Sequence, residues 1–290
     1  MPKLLVFGRN GQLAQCIYNN CLANTFFESK QFVSWEQFIN NEIPHICSET
    51  VVINTFANTN VEFAETSPRH VIETHLTLHE RLLEVSSLAE KYVYISSTGV
   101  YGTSKREPHT DVDAPTPQTV HHMTKFLAEK QCVEYFGDRV LVARTGWLFS
   151  NLKTRKNFVY ARMQDIASAK NNNEQLNVYQ NQFGNPTFAP DVVVALISLI
   201  SKSASGTLNV VNPEPVSRAE YIREIALLVD ADDYVNVLPV SERPIRKALV
   251  SDNEMALCTR LKDEFYITLP DWRIGLRLAV KGLSNESKSV

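Results

Sequence analysis

Cysteine is sparse and unpaired in this chain: Cys16, Cys21, Cys47, Cys132 and Cys258 are scattered through 290 residues with no CxxC spacing. An odd, dispersed set excludes a disulfide-built scaffold and predicts reduced, mostly buried thiols. No apolar run approaches the roughly 20 residues that a membrane-spanning helix needs. The chain opens directly into a strand-like run without a signal-peptide pattern, so a cytoplasmic protein is expected. There is no block of lysine or arginine and the net charge is -3, which leaves no bulk attraction for nucleic acid. Internal repeats are absent. The one low-complexity patch, Lys170 to Asn173, reads as a loop, and the tail from Ser284 reads as frayed. With 44% hydrophobic and 21% charged residues, the composition is that of an ordinary globule long enough for one large domain or two smaller ones.

The most informative stretch is the first one. Lys3 to Phe7 is an apolar run of strand length that breaks on Gly8 and Gly11, and Gln12 to Leu22 follows with helical amphipathicity. Strand, tight glycine turn and helix start make the phosphate-binding corner of a dinucleotide fold, where helix N–H groups and the helix dipole face the pyrophosphate. The third small position is Ala14 rather than glycine, and two glycines alone also fit an ordinary strand-to-helix turn. Thr25 to Glu28 reads as the next strand, with Glu28 placed to meet an adenosine ribose hydroxyl. Ser29 and Lys30 follow at once and suit a 2'-phosphate, so NAD and NADP both remain open.

Further along, Val51 to Thr55, Tyr92 to Ser97 and Val140 to Arg144 are strand-like. Helical periods cover Val61 to Ala89 after Pro68, Thr124 to Tyr135, and Pro190 to Ser201. Ser217 with Glu220 forms a capping box that opens a helix over Arg218 to Val229, Gln182 to Thr187 has the glycine and proline of a turn, and Asp271-Trp272-Arg273 begins a last helix. Strands alternating with helices predict an α/β fold with a doubly wound parallel sheet. Ligands on such a sheet lie beyond the carboxyl ends of the strands. That rule singles out Gly8 to Leu13 (including Asn10 and Gln12), Glu28, Phe56-Ala57-Asn58-Thr59, Ser96 to Gly99, and Arg144 to Trp147.

Six motifs then stand in chain order: Gly8-Arg-Asn-Gly11-Gln-Leu, Ile95-Ser-Ser-Thr-Gly-Val-Tyr-Gly102, Thr124-Lys125, Arg144-Thr-Gly-Trp147, Asn181-Gln-Phe-Gly-Asn-Pro-Thr187 and Leu269-Pro-Asp-Trp272. Together, from Leu4 to about Val280, they resemble the extended short-chain dehydrogenase/reductases, most of all those that reduce dTDP-4-dehydrorhamnose. The resemblance implies a Rossmann-type NAD(P)-binding domain over 1–147 plus about 187–212. It also implies a smaller α/β substrate domain over about 148–186 plus 213–283, with 284–290 as a tail. The implied activity is NAD(P)H-dependent reduction of a keto group on a nucleotide-activated deoxysugar, for cell-surface polysaccharide synthesis. A nucleotide sugar would be the substrate, and the oligomeric state stays open between a homodimer and, for a regulatory subunit, a complex with a partner enzyme. Gly8, Asn10, Gly11, Gln12, Leu13, Glu28, Phe56, Ala57, Asn58 and Lys125 would hold the dinucleotide, Ser97 the substrate oxygen, and Thr98 and Trp147 the substrate.

In that family a tyrosine one helical turn before the lysine gives its proton to the carbonyl. Here His121 occupies the tyrosine's place, and His75 stands where an active-site asparagine is usual. Three readings follow. His121 replaces the acid; or reductase chemistry is lost and the protein is a nucleotide-binding regulatory or scaffold subunit of a partner enzyme; or His75, His79, His121 and His122 include metal ligands, although no carboxylate or cysteine is fixed beside them by spacing. His122 reads as a surface residue and Tyr101 as a packed aromatic. Trp272 is expected to pack in the smaller domain, and Arg243 and Arg246 are expected either to reach a diphosphate or to lie in a solvated loop.

Overall fold

The computed structural model describes residues 1–21, 25–180, 182–242 and 245–285. The glycine turn separates β1 (Lys3–Phe7) from α1 (Gln12–Cys21). Then come β2 (Ser29–Val33), α2 (Trp35–Ile39) and β3 (Thr50–Asn54). The helical period after β3 is broken into α3 (Val61–Thr66), α4 (Pro68–Ile72), a π-helical turn at Glu73–Thr77 and α5 (Leu78–Val85). Next are β4 (Lys91–Ser97), α6 (Val120–Phe136) and β5 (Val140–Thr145). These strands and β10 below form one parallel sheet in the order β10-β5-β4-β3-β1-β2. The order reverses between β1 and β3, so a crevice opens at their carboxyl ends, the ligand position of a doubly wound sheet.

The sheet is covered on both faces because its strands are apolar on both. Leu4 and Val6 of β1 pack with α1 and the later α8, whereas Leu5 and Phe7 pack with Phe38 of α2, Leu82 and Leu83 of α5, and Ala128 and Cys132 of α6. The four cysteines Cys16, Cys47, Cys132 and Cys258 are free thiols.

The remainder runs β6 (Trp147–Phe149), α7 (Phe158–Asn172), β7 (Leu176–Tyr179), β8 (Phe183–Gly184), β9 (Pro186–Phe188), α8 (Ala189–Ser201) and β10 (Gly206–Val210). It continues through β11 (Val216–Ser217), α9 (Arg218–Leu227), β12 (Val235–Leu238), β13 (Asn253–Glu254), α10 (Thr259–Asp263) and α11 (Trp272–Asn285). A second core gathers Phe149, Val159, Ile166, Tyr221, Ile225 and Trp272 from this half. Trp272 is fully buried and its indole N–H donates to the Glu214 carbonyl at 2.8 Å.

Three local expectations change. The strand foreseen at Thr25 to Glu28 begins only at Ser29: Phe27 is buried in the core and stacks edge-on against Phe26, so this apolar pair is packing and not pairing. Lys170 to Asn172 continue α7, which ends at Asn173 in the left-handed conformation (φ 55°) that asparagine tolerates. Between Gln182 and Thr187 the chain is extended, with β8 pairing to β11 and β13 and β9 to β6. The tail expected from Ser284 starts later, since Ser284 and Asn285 still belong to α11, and 286–290 lie outside the described residues.

Candidate active site

The crevice between β1 and β3 is built from the glycine turn. Gly8 has φ 105°, and a Cβ there would fall 2.2 Å from Thr55 Oγ1, so only glycine fits. Its N–H and that of Arg9 donate to the Val33 carbonyl at 3.0 and 3.1 Å, and Gly11 N–H donates back to the Gly8 carbonyl at 2.7 Å. This closes a tight turn at the start of α1, whose first turn carries no acidic residue. Gln12 Nε2 is buried there and has no hydrogen-bond partner among the described residues. An orphaned donor beside a helix N-terminus fits the phosphates of a dinucleotide. Ala14 and Leu13 sit in the core below, so the small third residue serves helix-on-sheet packing.

After β3 the backbone turns at Thr55 to Asn60. Phe56 packs among Phe7, Trp35 and Phe38, while Ala57 faces the cleft. Asn58 N–H donates to His75 Nε2 at 2.9 Å, and His75 Nδ1 lies 2.8 Å from Thr124 Oγ1, which itself bonds to the Val120 and His121 carbonyls. An accepting Nε2 makes Nδ1 the protonated nitrogen. His75 is therefore a neutral clasp between the loop after β3 and α6, and burial holds it down to about 3.

On α6, capped by Thr119, three imidazoles meet edge to face: His75 and His121 at 5.3 Å, His121 and His122 at 5.0 Å. Burial first, then His122, His75 and Lys125, hold His121 well below the usual histidine range. Lys125 is buried, donates to the Ile95 carbonyl at 2.5 Å, sits 4.2 Å from the Tyr94 ring, and is lowered by burial to about 8. Behind it Glu129 is tied to Arg144 at 3.0 and 2.6 Å and to Ser96 Oγ at 2.5 Å. Ser97, at the end of β4, accepts the Gly99 N–H at 3.2 Å.

The glycine turn, the end of β4 and the start of α6 border one cleft of about 380 Å3, lined by Gly11, Gln12 and Leu13, by Ser97, His121, His122 and Lys125, and by Trp147, Arg218 and Glu254. The Trp147 indole N–H donates to Glu254 at 2.6 Å. The Arg218 guanidinium lies 3.6 Å from the centroid of the same ring and 4.8 Å from that of Phe158. No side-chain hydrogen bond of Arg218 exists among the described residues, and burial lowers it to about 10.

The sequence profile described as the RmlD substrate-binding domain matches residues 2–285. The chain belongs to that family. A dTDP-4-dehydrorhamnose reductase of Mycobacterium tuberculosis is 28% identical over 250 residues, covering 82% of this chain and 78% of that protein. The crystal structure of a dTDP-4-dehydrorhamnose reductase from Clostridium acetobutylicum superimposes with a TM-score of 0.83 at 23% identity, covering 96% of this chain and 98% of that one. That from Bacillus anthracis in complex with NADP gives 0.81 at 24%, again over 96% and 98%. At these identities the structural likeness shows the fold alone, an α/β fold with a Rossmann-type parallel sheet.

Several residues singled out from the sequence of this RmlD-family chain are not where they were expected. Glu28 is exposed, with its N–H on the Pro2 carbonyl, at the amino end of β2; five residues of strand separate it from the glycine turn, about 16 Å at strand rise. The carboxyl end of β2 carries Ser34, which caps α2. Thr98 is 1% exposed in the turn after β4 and does not line the cleft. His122 is buried, not on the surface: Nδ1 is 3.0 Å from Thr119 Oγ1, and Gly99 leaves it room, since a Cβ there would meet Nε2 at 2.2 Å. Asn10 is exposed, its carbonyl taking the Gln15 side-chain amide. Tyr101, by contrast, is the packed aromatic expected: it is fully buried, its hydroxyl donates to Asn209 at 2.8 Å and its ring stacks on His109 at 4.6 Å.

Arg246 is ion-paired with Glu62 at 2.6 Å, and Arg243 lies outside the described residues. Among the described residues no three His, Cys, Asp or Glu side chains are arranged to share a metal ion, and His79 instead stacks on Tyr94 with Nε2 3.5 Å from Cys132 Sγ. Sequence reasoning missed Arg218 and Glu254. The first was visible only as the residue after a capping serine, and the second belongs to a two-residue strand with no pattern of its own.

Proposed function

We propose that this protein reduces a keto group on a nucleotide-activated deoxysugar with NADPH or NADH, as the M. tuberculosis relative's name describes for dTDP-4-dehydrorhamnose. The observation that carries the reading is the single cleft that joins the phosphate cradle, the Ser97–Lys125 pair and the Trp147–Arg218–Glu254 cluster. Gly8, Gly11, Gln12 and Leu13 would hold the pyrophosphate, and Lys125 the nicotinamide ribose. Bound reduced nicotinamide supplies hydride to the carbonyl carbon. Ser97, placed at the carboxyl end of β4, would donate a hydrogen bond to the substrate oxygen. Beside Trp147, the guanidinium of Arg218, which makes no side-chain hydrogen bond among the described residues, suits the anionic part of a nucleotide sugar, and the Glu254 carboxylate suits sugar hydroxyls.

Among the described residues no helix is long and apolar enough to cross a membrane. Met123 and Leu127, one turn apart on α6, are 43% and 40% exposed and would offer an apolar strip to a second copy in a homodimer. One observation favours a second reading, a regulatory subunit of a partner enzyme: the residue at the acid's position is a buried, neutral histidine. Calorimetric titration with NADPH and NADH, followed by addition of dTDP-4-dehydrorhamnose while the reduced nicotinamide absorbance is watched, separates the two. Binding with turnover supports the reductase; binding without turnover on this and related keto sugars supports the regulatory subunit.

A further inference from the structure

Reduction of a carbonyl needs a proton as well as a hydride, and His121 has none to spare. The interaction that favours a proton on its ring is with the Asn58 carbonyl, while Nδ1 is buried without a partner among the described residues. The ring, held neutral by burial and its neighbours, carries a single weakly acidic N–H. Charging it would put a second cation one helical turn from Lys125 and against the rings of His75 and His122. His75 has both nitrogens engaged; His122 also lines the cleft, but its Nδ1 lies 3.0 Å from Thr119 Oγ1 and burial holds the ring below the usual histidine range, so it too is neutral. Ser97 can donate a hydrogen bond, but an alkyl hydroxyl is far too weak an acid to release a proton.

Lys125 differs. An ammonium carries three N–H groups. One goes to the Ile95 carbonyl, and the Nζ makes no other hydrogen bond among the described residues, although the residue lines the cleft. The titratable and charged groups around it are Glu129, Cys132, His121 and His122 on its own helix, Tyr94 on β4, and His75 and His79 on the segment packed against α6. Arg144 on β5 engages the Glu129 carboxylate, so no carboxylate bonds to Lys125. Lysine starts about four units above histidine, so of two neighbours that cannot both be charged, the lysine keeps the proton.

We propose that Lys125, rather than His121, gives the proton to the substrate oxygen, an inference that rests on the reductase reading. As the carbonyl carbon takes the hydride, its C–O π pair moves onto oxygen. The oxygen forms an O–H bond with a proton of Lys125 Nζ, and the N–H pair stays on nitrogen. Water entering the cleft reprotonates the amine. Burial brings the ammonium to about 8, where it is charged at neutral pH and a stronger acid than an ordinary lysine.

The test has two readouts. In the first, kcat is measured against pH at saturating NADPH and keto-sugar nucleotide for wild type, His121→Phe, His121→Gln and Lys125→Arg. Wild-type kcat falls about tenfold per pH unit above about pH 8, either His121 variant keeps that limb with a loss under about tenfold, and Lys125→Arg, a cation too weak an acid to serve, loses about 1,000-fold. In the second, NMR of isotope-labelled lysines in the ligand-free protein shows one resonance titrating near pH 8 that is missing from Lys125→Met. Loss of turnover in both His121 variants with activity kept by Lys125→Arg, or a Lys125 that titrates like an exposed lysine, overturns the proposal alone. A wild type that binds NADPH but turns over no keto-sugar nucleotide fails the reductase reading, and this proposal with it.

Discussion

Four buried histidines gathered around one helix make a quantitative demand on stability. His75 and His79 are 3% and 4% exposed and both are held, mainly by burial, to about 3. In the unfolded chain each would titrate near 6.5. A base whose folded pKa is depressed stabilises the fold fully above the unfolded pKa. The contribution drains as pH falls below that value, because only the unfolded state takes up the proton. Between pH 7.5 and 5.5 each such histidine costs about 1.4 kcal/mol, so the pair costs about 3 kcal/mol. His121 and His122 are shifted in the same direction and add to that figure. Asp113, held at about 2 by Lys105 and Thr110, contributes only at lower pH.

Urea unfolding at the two pH values reads the effect directly. With a slope of about 3 kcal/mol/M, the midpoint drops by about 1 M at pH 5.5. His75→Asn, which keeps a polar side chain but cannot titrate, should halve the part of the drop due to the pair. A wild-type midpoint equal at both pH values with an unchanged slope would refute the claim that these imidazoles are buried and neutral.

Three further outcomes follow from particular contacts. Gln12→Ala removes the buried orphan donor of the cradle and should weaken NADPH binding by about 5- to 30-fold, read by calorimetry, with little change in the unfolding midpoint. Glu129→Gln breaks the buried pair with Arg144 and should cost about 3–5 kcal/mol in urea unfolding, because the guanidinium is left buried without its counter-charge. Arg218→Ala should raise KM for the nucleotide sugar about tenfold or more while kcat changes little, since the guanidinium lines the cleft beside Trp147 rather than at the phosphate cradle.

The parts of the molecule legible in the sequence are those where local pattern and tertiary role coincide. Gly8 announces the turn because its φ of 105° and the Thr55 side chain leave no room for a Cβ, and β3, β4 and β5, buried on both faces, read as near-continuous apolar runs. The Ser217–Glu220 capping box appears as written, with Ser217 accepting the Glu220 N–H at 3.1 Å. β2 was misplaced because it is an edge strand of mixed polarity, Ser-Lys-Gln-Phe-Val, beside a more apolar Phe26-Phe27 that packs without pairing. That shift carried Glu28 to the wrong end of the sheet. The candidate site was legible along α6, where helical spacing places His121 and Lys125 together. It was not legible across the cleft: Trp147, Glu254 and Arg218 meet through contacts spanning about a hundred residues of chain, which no local period encodes. The neutrality of His121 was likewise a matter of burial and neighbours rather than of residue type.

The central claim is that one cleft binds a reduced dinucleotide and a keto-sugar nucleotide and passes hydride between them. The most direct test is a single-turnover reaction of the purified protein with NADPH and dTDP-4-dehydrorhamnose, with nicotinamide absorbance and product followed together. The account predicts one equivalent of alcohol formed for each NADPH oxidised. Tight binding of both ligands with no loss of absorbance would contradict it and leave a protein that binds these molecules without converting them.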